Sequence, residues 1–160
     1  MNKNTTFLKN IIFKYLPENF PTATSQKLAL QYPQAYNVEH LTEIALAKVG
    51  GYDFVDASGY DFSDYSDSKT TSVNYNTKVI EIMSVENKIG SLRICCYNLF
   101  KNCVDYFFVP KENVKEVAER CYGKQKHKQR IKARYNTKKD SYTKLEKYRV
   151  KDFTTLATLS

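Results

Sequence analysis

The hydrophobic period of this chain changes at Gly50-Gly51, and that change fixes the class of fold open to it. Ahead of the glycines, Val38 to Val49 ("VEHLTEIALAKV") places Leu41, Ile44, Ala45 and Lys48 on one helical stripe, and the glycine pair is a natural stop. Beyond it the period is two. "YDFVDA" and "KTTSVNY" read as strands around a turn at Ser58-Gly59, and "VIEIMSV" (Val79 to Val85) as a third. "SLRICCYN" and "VDYFFVP" form a hairpin around "LFKN", closed by Pro110, with the aromatic and β-branched content of buried strands. Helical spacing returns over Lys111 to Tyr122; "RIKARY" reads as a last strand, "DSYTKLEKYRV" as a short helix, and Phe153 to Leu159 as a helical turn. The N-terminal segment offers a helix from Phe7 to Leu16, ended by Pro17, and a shorter one in "SQKLALQY". The order predicts an α/β (α+β) fold with a mixed central β-sheet of four to five strands flanked by helices. At 160 residues the chain reads as a single domain over 1–160, with 1–37 as a helical, proline-containing lead-in and 124–160 as a basic C-terminal region.

Charge is unevenly distributed. The net charge is +8, yet residues 111–160 hold 15 Lys+Arg against 6 Asp+Glu, while residues 1–110 hold 10 against 11. A basic region of this kind suits a polyanion, of which nucleic acid is the commonest. With 42% hydrophobic and 26% charged residues the chain is globular rather than disordered. Cys95, Cys96, Cys103 and Cys121 lack the spacing of a metal finger, and read as reduced thiols packed as small apolar groups; the adjacent pair points to opposite faces of its strand. No signal-like apolar stretch opens the sequence and no run reaches transmembrane length, so the expected location is cytoplasmic.

Against that basic background, acids gather where a strand begins. Asp67 and Lys69 are two apart, so an extended chain presents carboxylate and ammonium on the same side. Asp53, Asp56, Asp61 and Asp64 lie just ahead. If "YDFVDA" and "KTTSVNY" are neighbouring strands, an acid of the first meets Asp67 across the ladder. Two readings follow. The acids and serines make a solvated turn, or converging carboxylates hold a hard cation, Mg²⁺ or Mn²⁺. A metal beside a lysine would serve phosphodiester hydrolysis, with basic residues gripping phosphates.

The triplet Asp67-Ser68-Lys69, an upstream acid and a Glu on the preceding helix together resemble the PD-(D/E)XK, restriction-endonuclease-like, nuclease superfamily. The order of elements across 38–135, the nuclease-like core, resembles that family too. No proline precedes Asp53, Asp56 or Asp61. The resemblance implies a Mg²⁺-dependent endonuclease (Mn²⁺ being the alternative ion) that hydrolyses DNA phosphodiester bonds, of restriction, phage or repair type, with RNA as the alternative substrate. It implies Asp56 and Asp67 as metal ligands, with Asp61 and Asp64 as alternates for Asp56. It implies Lys69 orienting the attacking water and Glu43 assisting. Enzymes of this kind often work as homodimers.

Lys124, Lys126, Lys128, Arg130, Lys132 and Arg134 alternate with other residues, so on one strand all six would face one side, as a phosphate-binding row or as charges that block edge pairing. His40 reads as a surface residue and His127 as part of the basic run. Arg93 and Asp105 are expected to pair across the hairpin. The rival to the enzyme is a non-catalytic nucleic-acid-binding protein using the basic C-terminal region. A membrane partner is not expected, since no helix with a wide apolar face accompanies the lysines.

Overall fold

The computed structural model describes residues 14–19, 21–22, 24–25, 28, 37–73, 78–98, 100–101 and 103–160. The helices expected over 7–16 and 25–32 lie largely outside them.

Helix α1 (Val38–Gly50) ends where the sequence says it should. Gly51 takes a left-handed φ of 77°, and its N–H donates to the Ala47 carbonyl. Strands β1 (Phe54–Ala57) and β2 (Tyr60–Phe62) form a small antiparallel hairpin about Ser58-Gly59. The turn is where the sequence predicts it, but the returning strand is "YDF" rather than "KTTSVNY". The latter becomes β3 (Asp67–Val73), which joins a different sheet.

That sheet has the order β10-β6-β5-β3, with β5 at Leu92–Asn98, β6 at Cys103–Val109 and β10 at Arg149–Val150. β6 is antiparallel to both neighbours, and β3 runs parallel to β5, so the sheet is mixed. β5 is buried on both faces, as its apolar run requires. Cys95 points with Phe108 into a core shared with Ala45 and Leu46 of α1 and Leu156 of the closing helix α3 (Phe153–Thr158). Cys96, one residue on, points into a second core with Phe107, Ile131 and Tyr135. The two cysteines thus take opposite faces, as expected.

The second core lies mainly against a second sheet, joined by Val114 and Val117 of the short helix α2 (Val114–Val117). The order of that sheet is β4-β8-β7, with β4 at Val79–Ile82, β7 at Glu119–Arg120 and β8 at Gln129–Asn136, and with β9 (Ser141–Tyr142) also on β8. The fold is therefore α+β with several sheets and few helices among the described residues. The first sheet carries α1 and α3 on one face and the second sheet, with α2, on the other.

Two expected helices are corrected. Lys111 to Tyr122 yields a 3₁₀ turn (Lys111–Asn113) and the four-residue helix α2 (Val114–Val117). The chain then extends, because Glu119 and Arg120 pair with Arg130 and Gln129 and the Cys121 N–H donates to the Lys128 carbonyl. "DSYTKLEKYRV" becomes β9, a 3₁₀ turn (Glu146–Tyr148) and β10. Its Tyr142 is 2% exposed; the hydroxyl donates to Asp105 and accepts from Asn98 Nδ2, which no exposed helix position could offer.

The Arg93–Asp105 pair also dissolves. Their register partners are Phe108 and Cys96, and the side chains leave the sheet on different faces. Asp105 takes Lys101 Nζ and an Arg149 nitrogen, both at 2.8 Å, and despite burial the hydrogen bonds from Lys101, the Tyr142 hydroxyl and Asn98 hold its carboxyl below the ordinary range.

Candidate acidic site at the start of strand β3

The site is assembled by a short return of the chain. Phe62 is fully buried against Tyr52 and Phe54, with ring centroids at 5.0 and 6.2 Å, so its neighbour Asp61 must face the other way. A turn over Ser63 to Tyr65 follows, and both the Asp61 and Phe62 N–H groups donate to the Ser66 carbonyl at 3.1 Å. This folds Asp61 back onto β3, where its Oδ2 accepts the Ser68 N–H at 2.9 Å. Among the described residues β3 is the last strand of its sheet, so a side chain takes a donor that a neighbouring strand would otherwise take.

Asp67 opens β3 and is 2% exposed. Two ammonium groups attend it: Lys88 Nζ donates to Oδ1 at 3.0 Å, and Lys69 Nζ stands 3.6 Å from Oδ2. The i, i+2 relation of Asp67 and Lys69 expected from sequence is therefore realised. Lys88, from the connection between β4 and β5, was not a sequence candidate. Nothing in "VENKIGS" distinguishes it except Gly90 two residues on, whose position leaves no room for a side chain: a Cβ there would lie 2.0 Å from the Tyr65 carbonyl oxygen.

Glu43 projects from α1 with its side chain 17% exposed, its Oε2 lying 3.5 Å from His40 Nδ1. Burial, with the charges of Asp61, Glu39, Asp56 and Asp67, pushes its pKa up to about 8. Asp61 is pushed up to about 6, first by burial and then by the charge and hydrogen bonding of Asp67, with the Ser68 N–H and Lys88 working the other way. Glu43 and Asp61 thus each feel neighbouring carboxylates, Asp67 among them. Ser68 Oγ and Thr70 Oγ1, on the opposite parity of β3, are buried without a hydrogen-bond partner, so polar capacity remains open on that side of the strand.

The other candidates lie elsewhere. Asp56 sits in β1 with a left-handed φ of 46°, and β1 pairs with β2, so no ladder carries it to Asp67. The structure instead brings Asp61, one of the alternates, against β3. Asp64 is committed: against the effect of burial, the Ser66 hydroxyl at 2.5 Å, the Ser66 N–H at 3.0 Å and Arg93 at 2.7 Å all donate to it and lower its pKa. The basic residues do not form one row. Lys124 lies in a 3₁₀ turn (Gly123–Gln125), and Lys126 and Lys128 in the loop that follows. Only Arg130, Lys132 and Arg134 share a face of β8, and Arg130 is engaged by Glu81 at 3.0 Å and Glu119 at 3.5 Å.

Among the described residues, no three His, Cys, Asp or Glu side chains form a group that could hold a metal ion by themselves. Asp61 and Asp67 supply two carboxylates, the number that Mg²⁺ commonly takes when it keeps several waters, with both Asp67 oxygens also facing ammonium groups. Among those residues, too, no helix is long and apolar enough to cross a membrane. No protein-family profile, curated protein or solved structure matches this chain.

Proposed function

We propose that the start of β3 is the active site of a divalent-metal-dependent nuclease of restriction-endonuclease-like type, hydrolysing phosphodiester bonds in DNA. One observation carries this reading: Asp61 and Asp67 converge at a strand terminus while Lys69 and Lys88 both reach Asp67. A solvated turn would leave its acids apart and hydrated. Here one acid is buried, a second is folded onto it, and a third faces them from α1, an arrangement that gains stability when a cation enters.

Asp61 and Asp67 would hold Mg²⁺ or Mn²⁺, with Glu43 joining through water. The ion would supply Lewis-acid polarisation of a phosphoryl oxygen and a more acidic bound water. Lys69, tied to Asp67, orients the attacking water and offers positive charge to the phosphate. Lys88 does the same from the far side of Asp67, so a phosphate approaching the strand end meets two ammonium groups. Lys132 and Arg134, exposed on β8, and the Lys124–Lys128 segment supply sequence-independent phosphate contacts.

The test is incubation with supercoiled plasmid and with oligonucleotides, in Mg²⁺, Mn²⁺ or EDTA. Nicking that requires the ion and is lost in Asp61→Ala, Asp67→Ala and Lys69→Ala is the expected result. Intact substrate under every condition overturns hydrolysis. A specific observation favours a second reading, a non-catalytic nucleic-acid-binding protein: Tyr122, 80% exposed, stands beside Lys124, Lys126 and Lys128, so an aromatic ring and three cations share one surface loop. Salt-sensitive binding that is indifferent to the metal, without cleavage, would select it.

A further inference from the structure

Beside the acidic site lies a cleft of about 440 Å³, within the range of small-ligand sites. Tyr65 and Ile89 frame it, and Ser91, Arg93, Lys111 and Glu112 line it further. Tyr65 is 55% exposed and Ile89 58%, an aromatic and an aliphatic side chain left in water on facing segments. Tyr65 is also held at a φ of 70°, in the left-handed region, where a bulky residue is costly. Its ring meets Tyr60 edge to face at 5.1 Å, which fixes its direction.

The two segments that wall the cleft also build the acidic site. Tyr65 stands two residues before Asp67, and Ile89 follows Lys88 directly, so each wall is one or two residue lengths, ~4–7 Å of chain, from the residue that carries the carboxylate or the ammonium. Gly90 lets them close: there is no space for a side chain between it and the Tyr65 carbonyl. A strand whose phosphate reaches Lys88 therefore meets the exposed Tyr65 and Ile89 side chains on the same two segments. Ser91, Lys111 and Glu112 offer donors and acceptors at the rim of the cleft. A paired base, already stacked inside a duplex, could not enter.

We propose that this cleft receives an unpaired nucleobase, held between Tyr65 and Ile89, so that the favoured substrate is single-stranded or locally opened nucleic acid. The inference rests on the reading of the adjacent site as one that handles nucleic-acid phosphates.

The chain contains no tryptophan, so Tyr65→Trp installs a single fluorescent reporter in the cleft. It is titrated in EDTA with a thymidine oligonucleotide and with a duplex of equal length, while anisotropy of labelled strands reports binding independently. Saturable quenching by the single strand, at least about tenfold tighter than by the duplex, is expected. Ile89→Ala should weaken single-strand binding about tenfold in the anisotropy assay. Tyr65→Gly should weaken it similarly while its Tm holds or rises, since glycine suits the left-handed backbone; a merely structural tyrosine would lower the Tm instead. Binding without quenching, equal affinity for duplex, or no binding each overturns the proposal. None of these readouts needs cleavage. Plasmid nicking without quenching removes the cleft alone, and quenching without nicking removes the hydrolytic reading alone.

Discussion

Lys88 places its ammonium 3.0 Å from Oδ1 of Asp67, across 21 residues of sequence. Their side chains are 14% and 3% exposed, so each depends on the other for compensation of its charge. Lys88→Met should destabilise the fold by about 2–3 kcal/mol, less than for an isolated buried pair because Lys69 stays near the same carboxylate. Lys69→Met should cost less, about 1 kcal/mol, its contact being longer, yet abolish cleavage. Urea midpoints and plasmid nicking measure the two effects separately. Equal stability losses would mean that the distances do not rank the two contacts.

Asp61 and Glu43 make a prediction about pH. Both folded-state pKa values, about 6 and about 8, lie above the ordinary 3.8 and 4.5. The folded chain thus keeps protons that the unfolded chain has released, and the contribution of these groups to stability falls as pH rises. The decline begins near pH 4, passes 6 for Asp61 and is complete above 8. In metal-free buffer, Glu43→Gln should equal the parent near pH 4 and exceed it by about 1–3 kcal/mol near pH 9. A urea-midpoint profile of Glu43→Gln that runs parallel to that of the parent would refute this.

Metal should act in the opposite sense. Carboxylates must lose their protons to ligate, so Mg²⁺ should raise the Tm near pH 8 and fail to do so near pH 5. EDTA should abolish the gain. A Tm gain of the same size at both pH values would place the ion elsewhere on the surface.

Asp61 and Asp64 should behave differently although they are three residues apart. Asp64 neutralises Arg93, a guanidinium 1% exposed that also donates to the Leu156 carbonyl at 2.6 Å and to Ser66 Oγ at 3.0 Å. Asp64→Ala leaves that buried charge without its carboxylate and should cost about 3 kcal/mol. At a temperature where the variant is folded, Mg²⁺ binding by calorimetry should persist. Asp61→Ala should show the reverse, with near-parental stability and binding lost.

Gly90→Ala is the steric probe. A Cβ 2.0 Å from the Tyr65 carbonyl oxygen and 3.0 Å from the Ser66 nitrogen meets backbone, which cannot rotate aside. The variant should lose about 2–4 kcal/mol and, where it still folds, cleave poorly because the segments carrying Asp67 and Lys88 are forced apart. A thermal melt beside a cleavage assay tests both.

How much could be read from the amino acids follows from the range of each interaction. α1, its stop at Gly51, the hairpin of β5 and β6 and the shared side of Asp67 and Lys69 depend on local periodicity, so they were legible. The partner of β3 was not: "KTTSVNY" alternates well enough for either hairpin or sheet, and burial of Phe62 in the shorter "YDF" decided it. That choice moved the upstream acid from Asp56 to Asp61. The two lost helices failed for a related reason, since strand pairing at Glu119 and the core position of Tyr142 outweighed helical spacing. Lys88 and the Asp64–Arg93 pair are contacts across 21 and 29 residues, for which one sequence carries no signal.

The Asp61 carboxylate occupies the Ser68 N–H on the terminal strand of its sheet, and this ties chemistry to solubility. An open strand margin invites another copy of the chain to add itself, and charge placed at the margin is a common defence. Replacing Asp61 with an apolar residue would remove a proposed metal ligand and unseal that margin in one step. Inactive variants at this position should therefore be the ones that self-associate, so that the same side chain guards the protein against its own copies.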